Sequence, residues 1–155
     1  MIEMQLLKYS NRLDNLYKKA QIYDSDIEML SEWAKYLCVL TSAYLEQCIR
    51  AIFADYVSKK AHPSISKFAQ HHIKNFQNPK MEKIYQLVGC FDTAWLENLK
   101  INTEGELKDS IDSIVANRNN IAHGRDVGLT FANLQKYYAA VQSVLKIVKN
   151  QIPSN

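Results

Sequence analysis

The chain has 155 residues, of which 47% are hydrophobic and 23% are charged, and its formal net charge is +3. This balance excludes a disordered chain, and the length suits one domain with a sizeable core. Only 4 Gly and 3 Pro are present, fewer turn residues than a sheet protein of this size usually needs, so long helices are favoured. We therefore predict a single all-α domain over residues 1–155.

Neither a membrane span nor a secretory leader is predicted. No apolar run reaches the ~18–20 residues that a membrane span needs, and the first ten residues lack a continuous apolar segment. The three cysteines, Cys38, Cys48 and Cys90, stand in apolar helical contexts without CxxC spacing. This pattern predicts buried, reduced thiols in a cytoplasmic protein.

Two long helices are predicted in the first sixty residues. Apolar residues recur at helical spacing from about Ile2 to Ala20. A second helix begins near Ser25, where Ser25 to Glu28 matches a capping box. It continues to about Lys60, because no Gly or Pro interrupts it. Its middle is apolar on much of its circumference, which predicts a central position in a bundle.

Five shorter helices are predicted in the rest of the chain. Pro63 breaks the chain after the long helix, Asn78 offers a cap with Pro79 at the first helical position, and Thr103 to Glu106 matches a second capping box. The predicted helices run from Ser64 to about Phe76, from Pro79 to about Gly89, from Asp92 to Glu97, from Thr103 through Val115, and from about Thr130 to Val148. Short connections between such helices favour a bundle.

The most informative segment is Asn117 to Gly124, in which polar residues crowd the end of a helix that otherwise delivers apolar residues to the core. Gly124 is a plausible helix terminator. Asn119 and His123 are four residues apart and share a face, whereas Arg118 and His123 differ in direction by roughly 140°. Arg118 can therefore approach His123 if the helix ends or bends there, or if two chains bring their motifs together across a symmetry axis.

These side chains suit RNA cleavage, in which a 2′-hydroxyl attacks the adjacent phosphate. His123 is a natural proton carrier near neutral pH, and Arg118 can bind phosphate oxygens in a bidentate fork. Asn119 and Asn120 can orient the imidazole or bond the ribose or phosphate. The residues alone leave a structural alternative open, in which Arg118 bonds helix-end carbonyls and His123 caps the turn.

The segment RNNIAHG resembles the Arg-x(4–6)-His signature of the HEPN superfamily, including the polar residue directly after the Arg, here Asn119. Its place late in the chain, before a final helix, also matches. On the long second helix, Ala43 to Glu46 is similar to the segment of the RiboL-PSP-HEPN branch in which an acidic residue faces the motif. The resemblance implies an all-α, HEPN-like helical bundle with a long central second helix and short additional helices.

The resemblance also implies a metal-independent endoribonuclease of toxin or phage-defence type. Arg118, His123 and Asn119 would form the catalytic set, with Asn120 and Glu46 in support and Glu46 holding Arg118. The implied partners are an RNA substrate, a second copy of the chain and an antitoxin or larger defence complex; neither a metal, a cofactor nor a membrane is expected. The alternative is a non-catalytic HEPN-fold interaction or nucleotide-binding module.

Two residues carry alternatives of their own. Glu46 also stands four residues before Arg50 and can pair with it along one helix face. Where toxins paired with a nucleotidyltransferase antitoxin commonly have a Tyr two places after the His, this chain has Arg125. Control by tyrosine nucleotidylation at that position is therefore in doubt. Arg125 either adds phosphate affinity or is a solvated loop residue.

Basic residues concentrate between positions 59 and 83, where six Lys and three His stand against one acidic residue, Glu82. Lys67 and Lys74 are the weak RNA-binding candidates of this stretch, and the alternative is an ordinary solvated face. His71 and His72 are adjacent, so on a helix they point about 100° apart. A polar face with some RNA contact is therefore expected here rather than a metal site.

Overall fold

A computed structural model of the protein describes residues 2–154, and within that range it contains seven helices and no strand. The all-α prediction and the long second helix are confirmed. The helices are α1 (Ile2–Gln21), α2 (Ile27–Lys60), α3 (Pro63–Lys74), α4 (Met81–Phe91), α5 (Thr93–Thr103), α6 (Glu106–Ala122) and α7 (Phe131–Gln151).

Helix α2 is the central helix and packs against α1, α3, α6 and α7. By length and composition alone it could cross a membrane. However, the large side chains of Leu37, Leu45, Ile49 and Phe53 are completely buried among the other helices. Burial on several sides explains why the middle of α2 is apolar on much of its circumference, as expected for the core helix of a bundle.

The core has two parts, placed at the two ends of α2. The first core cluster joins the C-terminal half of α2 to α4, α6 and α7, and it includes Leu45, Phe53, Ile84, Ile114 and Val144. The second core cluster joins the N-terminal half of α2 to α1 and the start of α7, and it includes Leu13, Tyr17, Leu37, Leu134 and Tyr138. Ile121, near the end of α6, packs against the second cluster. Helices α2 and α6 therefore run antiparallel.

Tyrosine hydroxyls help to hold α1 on the bundle. Tyr138 donates a 2.6 Å hydrogen bond to Asp14 Oδ1, and the Tyr17 and Thr41 hydroxyls lie 2.7 Å apart. The Tyr17 and Tyr138 rings stack with their centroids 4.6 Å apart. Each buried hydroxyl thus has a partner, which removes most of the cost of burying it.

The start of α2 differs slightly from the prediction. Helix α2 is capped by Asp26, whose carboxylate accepts the Met29 backbone N–H at 3.0 Å. The predicted cap, Ser25, lies one residue earlier. Asp and Ser are both good N-caps, so the sequence alone does not separate two adjacent candidates.

Two other helix starts were predicted wrongly because of contacts distant in sequence. Helix α4 begins at Met81 rather than Pro79, and the Met81 N–H is capped by Asp112 from α6 at 2.9 Å. Thr103 does not open α6. It ends α5 instead, where its hydroxyl donates to the Leu99 carbonyl and meets the Tyr85 hydroxyl, both at 2.7 Å. Helix α5 is therefore longer than the predicted segment.

The cysteines follow the prediction at two positions of three. Cys38 and Cys48 are buried in the core, but Cys90 is exposed. Cys90 follows Val88 and Gly89 in an apolar stretch, yet the buried face of α4 is formed by Met81, Ile84, Tyr85 and Val88. Successive residues of a helix are rotated by about 100°, so Cys90, two residues after Val88, points away from that face.

These environments predict unequal thiol reactivity. Burial raises the pKa of the Cys38 thiol to about 12 and that of Cys48 to about 11, so neither forms the reactive thiolate at mildly alkaline pH. With an aromatic disulfide reagent we expect one thiol to react rapidly in the folded protein and two more after denaturation. Cys90→Ser should remove the rapid phase, whereas rapid reaction of a second thiol in the folded protein would contradict this packing.

Candidate active site at the end of helix α6

The polar motif, residues Arg118 to Gly124, lies where α6 ends. His123 is the C-cap residue, and Gly124 follows with φ +69°. The Gly124 N–H donates to the Ile121 carbonyl at 3.1 Å, and the Arg125 N–H donates to the Asn120 carbonyl at 2.8 Å. This pair of bonds is a Schellman motif, in which glycine adopts the left-handed conformation without strain. The prediction that Gly124 terminates the helix is confirmed.

The helix end places the motif at the boundary between core and solvent. Arg118 continues the stripe formed by the buried residues Ile111, Ile114 and Val115, but it is only partly buried itself. His123 is exposed. The guanidinium therefore emerges at the edge of the core, while the imidazole stands on the surface.

Hydrogen bonds within the motif connect neighbouring side chains. The Arg118 guanidinium donates to Asn119 Oδ1 at 3.1 Å, and the His123 backbone N–H donates to the Asn119 carbonyl at 3.1 Å. Within residues 2–154 the structure gives no hydrogen bond between Arg118 and His123. Because α6 is helical up to Ala122, positions 118 and 123 differ in direction around the helix axis by roughly 140°, as the sequence spacing predicts.

A second guanidinium, that of Arg125, lies beside the motif, and its contact with Asn120 was not predicted from the sequence. Arg125 Nη1 donates to Asn120 Oδ1 at 3.4 Å, in addition to its backbone bond to the same residue. The Schellman turn thus folds Arg125 back over the end of α6. Asn119 therefore accepts a hydrogen bond from Arg118, and Asn120 accepts one from Arg125.

Glu46 lies elsewhere on the bundle. Its carboxylate pairs with Arg50 at 2.9 Å and accepts the Asn78 N–H at 3.2 Å. The Cys38 thiol donates to the Ile114 carbonyl at 3.6 Å where α2 and α6 meet. Glu46 lies eight residues beyond Cys38, about 12 Å of helical rise, in the direction away from the motif. Within one protomer Glu46 does not hold Arg118, and the alternative pairing with Arg50 is the one observed.

Glu46 is therefore expected to stabilise the fold rather than to assist the motif. Arg50 also donates to the Phe76 carbonyl, with its Nε at 2.8 Å, so this partly buried network connects α2 to the segment after α3. Glu46→Gln should lower the free energy of unfolding in urea by about 1 kcal/mol, because the charge-assisted bonds weaken.

The matched control is Glu32→Gln. Glu32 forms an exposed i,i+3 pair with Lys35, and its side chain retains 65% of its accessible surface. This change should alter stability by less than about 0.5 kcal/mol. Loss of motif-dependent activity in Glu46→Gln at unchanged stability would contradict the structural role of Glu46.

The weak RNA-binding candidates Lys67 and Lys74 are not brought to the motif. Both are exposed on α3. Lys74 lines a cavity with Gln47, Arg50 and Ala51 of α2. Ala51 lies 13 residues beyond Cys38, and the end of α6 lies eight residues beyond Ile114 in the opposite direction. The end of α6 and the part of α3 beside Ala51 are therefore separated by about 30 Å along the helix axes. Any RNA contact of these lysines is therefore distant from Arg118 and His123.

Neither Arg118 nor His123 lines any of five surface cavities that lie along α1, α2, α3 and α7 and have volumes of up to about 590 Å³. Within the part of the chain that the structure describes, no group of three or more His, Cys, Asp or Glu side chains is arranged to hold a metal ion.

Fold and site together define an all-α bundle with an Arg–Asn–His set at the exposed end of its penultimate helix. The family model described as RiboL-PSP-HEPN matches residues 5–154. The chain belongs to this HEPN family, and the predicted family and branch are confirmed. Comparisons with curated proteins and with solved structures find no match.

Proposed function

We propose that the protein is a metal-independent endoribonuclease of toxin or phage-defence type, acting in the cytoplasm at a site built by two copies of the chain. Family membership supports a ribonuclease or nucleotide-related role. The observation that carries the proposal is the set of Arg118, Asn119 and His123 at the solvent-facing end of α6. An antitoxin or a larger defence complex is the proposed partner that controls the activity.

The proposed reaction needs no group from outside the chain other than RNA and water. The His123 imidazole takes the proton of a ribose 2′-hydroxyl, and the 2′-oxygen forms a bond to the adjacent phosphorus. Arg118 neutralises the charge that develops on the non-bridging oxygens. The bond to the 5′-oxygen then breaks, and that oxygen takes a proton from water. The products are a 2′,3′-cyclic phosphate and a 5′-hydroxyl.

The dimer in this proposal is supported by the spacing of the two residues along α6. Positions 118 and 123 differ in direction around the helix by roughly 140°, and among the described residues no hydrogen bond joins the two side chains. In an isologous dimer the same patch of both chains meets across a twofold axis. His123 of one protomer and Arg118 of the other would then contact one phosphodiester, and the surface of the second protomer would form the other side of the RNA-binding cleft.

The reaction type is tested by the ends of the RNA fragments. An unstructured RNA is incubated with the protein in excess chelator, and the fragments are examined for cyclic phosphate and 5′-hydroxyl ends. We expect cleavage to persist in chelator with those ends. A strict requirement for a divalent ion, or fragments with 3′-hydroxyl and 5′-phosphate ends, would exclude the proposed mechanism.

A non-catalytic nucleotide-binding module is the second candidate function. The observation that favours it is the pair of guanidinium groups, Arg118 and Arg125, each already held by an asparagine beside it. Such a preorganised pair can bind phosphates without cleaving RNA. Tight binding of a mononucleotide, together with no cleavage of any RNA, would favour this alternative.

A further inference from the structure

Helix α3 carries exposed side chains that the proposed active site does not use. Its inward face is formed by residues such as Ser66 and Ile73, which are buried against the bundle. On the opposite side Ile65 and Phe68 retain 60% and 66% of their accessible surface. The fold therefore does not require these two large apolar side chains on the outside.

The exposed apolar side chains lie beside a cationic row. Lys67, His71 and Lys74 follow one another at i, i+4 and i+7, and all three are exposed. Phe68 and His72, also four apart, form an adjacent row in which the two ring centroids lie 4.7 Å apart in an edge-on arrangement. Helix α3 contains no acidic residue.

The charge on this face is not neutralised locally. At the end of α2, Lys59 pairs with Asp55 at 2.7 Å. In contrast, Lys60, Lys67 and Lys74 have no ion-pair partner among residues 2–154. Free lysines next to an exposed aromatic pair are the combination with which proteins bind single-stranded nucleic acid, since lysines attract the phosphates and bases stack on the rings.

A single strand fits this face better than a membrane does. A helix that lies in a membrane interface needs a broad and continuous apolar face, whereas the outer face of α3 offers only Ile65 and Phe68 as large exposed apolar side chains. Stacking of a base needs one accessible ring, and Phe68 provides it.

We infer that the outer face of α3 is a binding site for single-stranded RNA, separate from the α6 motif, in which Phe68 and His72 stack on bases and Lys67 and Lys74 contact phosphates. The inference takes its ligand class from the proposed function. The separation of about 30 Å along the helix axes corresponds to about nine stacked nucleotides at 3.4 Å each. The site would thus hold a part of the strand several nucleotides from the scissile phosphate.

The test measures RNA binding without cleavage. Full-length protein carrying His123→Ala is titrated into a fluorescent unstructured RNA of about 18 nucleotides, twice the span estimated above, and anisotropy gives the Kd. Adding Phe68→Ala should raise the Kd about tenfold. Phe68→Trp should leave the Kd unchanged. Phe68→Leu should raise the Kd as much as Phe68→Ala does, because leucine is apolar but cannot stack on a base.

The lysines are tested through the salt dependence of the same binding. Replacing Lys67 and Lys74 together by alanine should lower the slope of log K against log salt by about 1.4, since each contact to a single strand contributes about 0.7. The charge-matched control replaces Lys100 and Lys146, which are exposed on α5 and α7, and should leave the slope unchanged.

The outcomes separate this inference from the proposed nuclease. An unchanged Kd and slope in the α3 variants, or wild-type affinity in Phe68→Leu, would overturn the RNA site on α3 even if the wild-type protein cleaves RNA. Binding that depends on α3, together with no cleavage by wild-type protein, would uphold the site and remove the nuclease proposal. Phe68-dependent binding to vesicles of anionic phospholipid, without Phe68-dependent RNA binding, would also overturn the inference.

Discussion

We expect the change of His123 to alanine to lower the cleavage rate of an unstructured RNA by about 10²–10⁴-fold, the usual contribution of a general acid–base group. The fold should not change, because the hydrogen bond from His123 to the end of α6 comes from its backbone N–H, and its side chain is exposed. Single-turnover cleavage in excess chelator, near neutral pH, measures the effect, and the thermal midpoint of each variant measures the fold.

The matched control for His123→Ala is Asp126→Asn. Asp126 is exposed in the loop that follows the Schellman turn, three residues after His123. This variant should cleave at the wild-type rate. Wild-type activity in His123→Ala would contradict the assigned role of the imidazole, and equal losses in both variants would point to disturbance of the loop instead.

Removing the Phe53 side chain should have the largest effect on stability. Phe53 is completely buried at the centre of the first core cluster, and its ring stacks on Phe91 with centroids 4.8 Å apart. Phe53→Ala leaves a cavity between α2 and α4, so we expect the free energy of unfolding to fall by about 3–5 kcal/mol. Since domains of this size are stable by only about 5–15 kcal/mol, much of the total would be lost.

Urea unfolding gives the free energy of unfolding of Phe53→Ala and of Phe68→Ala. The comparison contrasts a buried phenylalanine with an exposed one. Phe68 is two-thirds exposed on the outer face of α3, so its removal should change stability by less than about 0.5 kcal/mol. Equal losses in the two variants would contradict the placement of one ring in the core and the other on the surface.

The long helices could be predicted from sequence because their apolar periodicity extends over many residues. The extents of α1, α2 and α7 follow from that pattern. The starts of α4 and α6 could not be predicted, because their local cap signals are overridden by contacts distant in sequence. Asp112 caps Met81, and Thr103 is occupied by its bond to Tyr85.

In the candidate site, too, features set by local helix geometry could be predicted, whereas side-chain contacts that depend on the folded structure could not. The termination at Gly124 follows from helix geometry and was predicted. The bond from Arg125 to Asn120 depends on the form of the turn after the helix. The choice of Arg50 as partner of Glu46 had been left open, since an i+4 neighbour and a distant residue are both compatible with the sequence.

The central claim, that one protomer supplies the imidazole and the other the guanidinium, is tested most directly by mixing two inactive variants. Purified Arg118→Ala and His123→Ala proteins are combined in equal amounts, allowed to exchange subunits, and assayed for RNA cleavage in excess chelator. Half of the dimers are then mixed, and each has one of its two composite sites intact, so the predicted activity is about a quarter of that of the same amount of wild-type protein. A mixture no more active than either variant alone would contradict the claim.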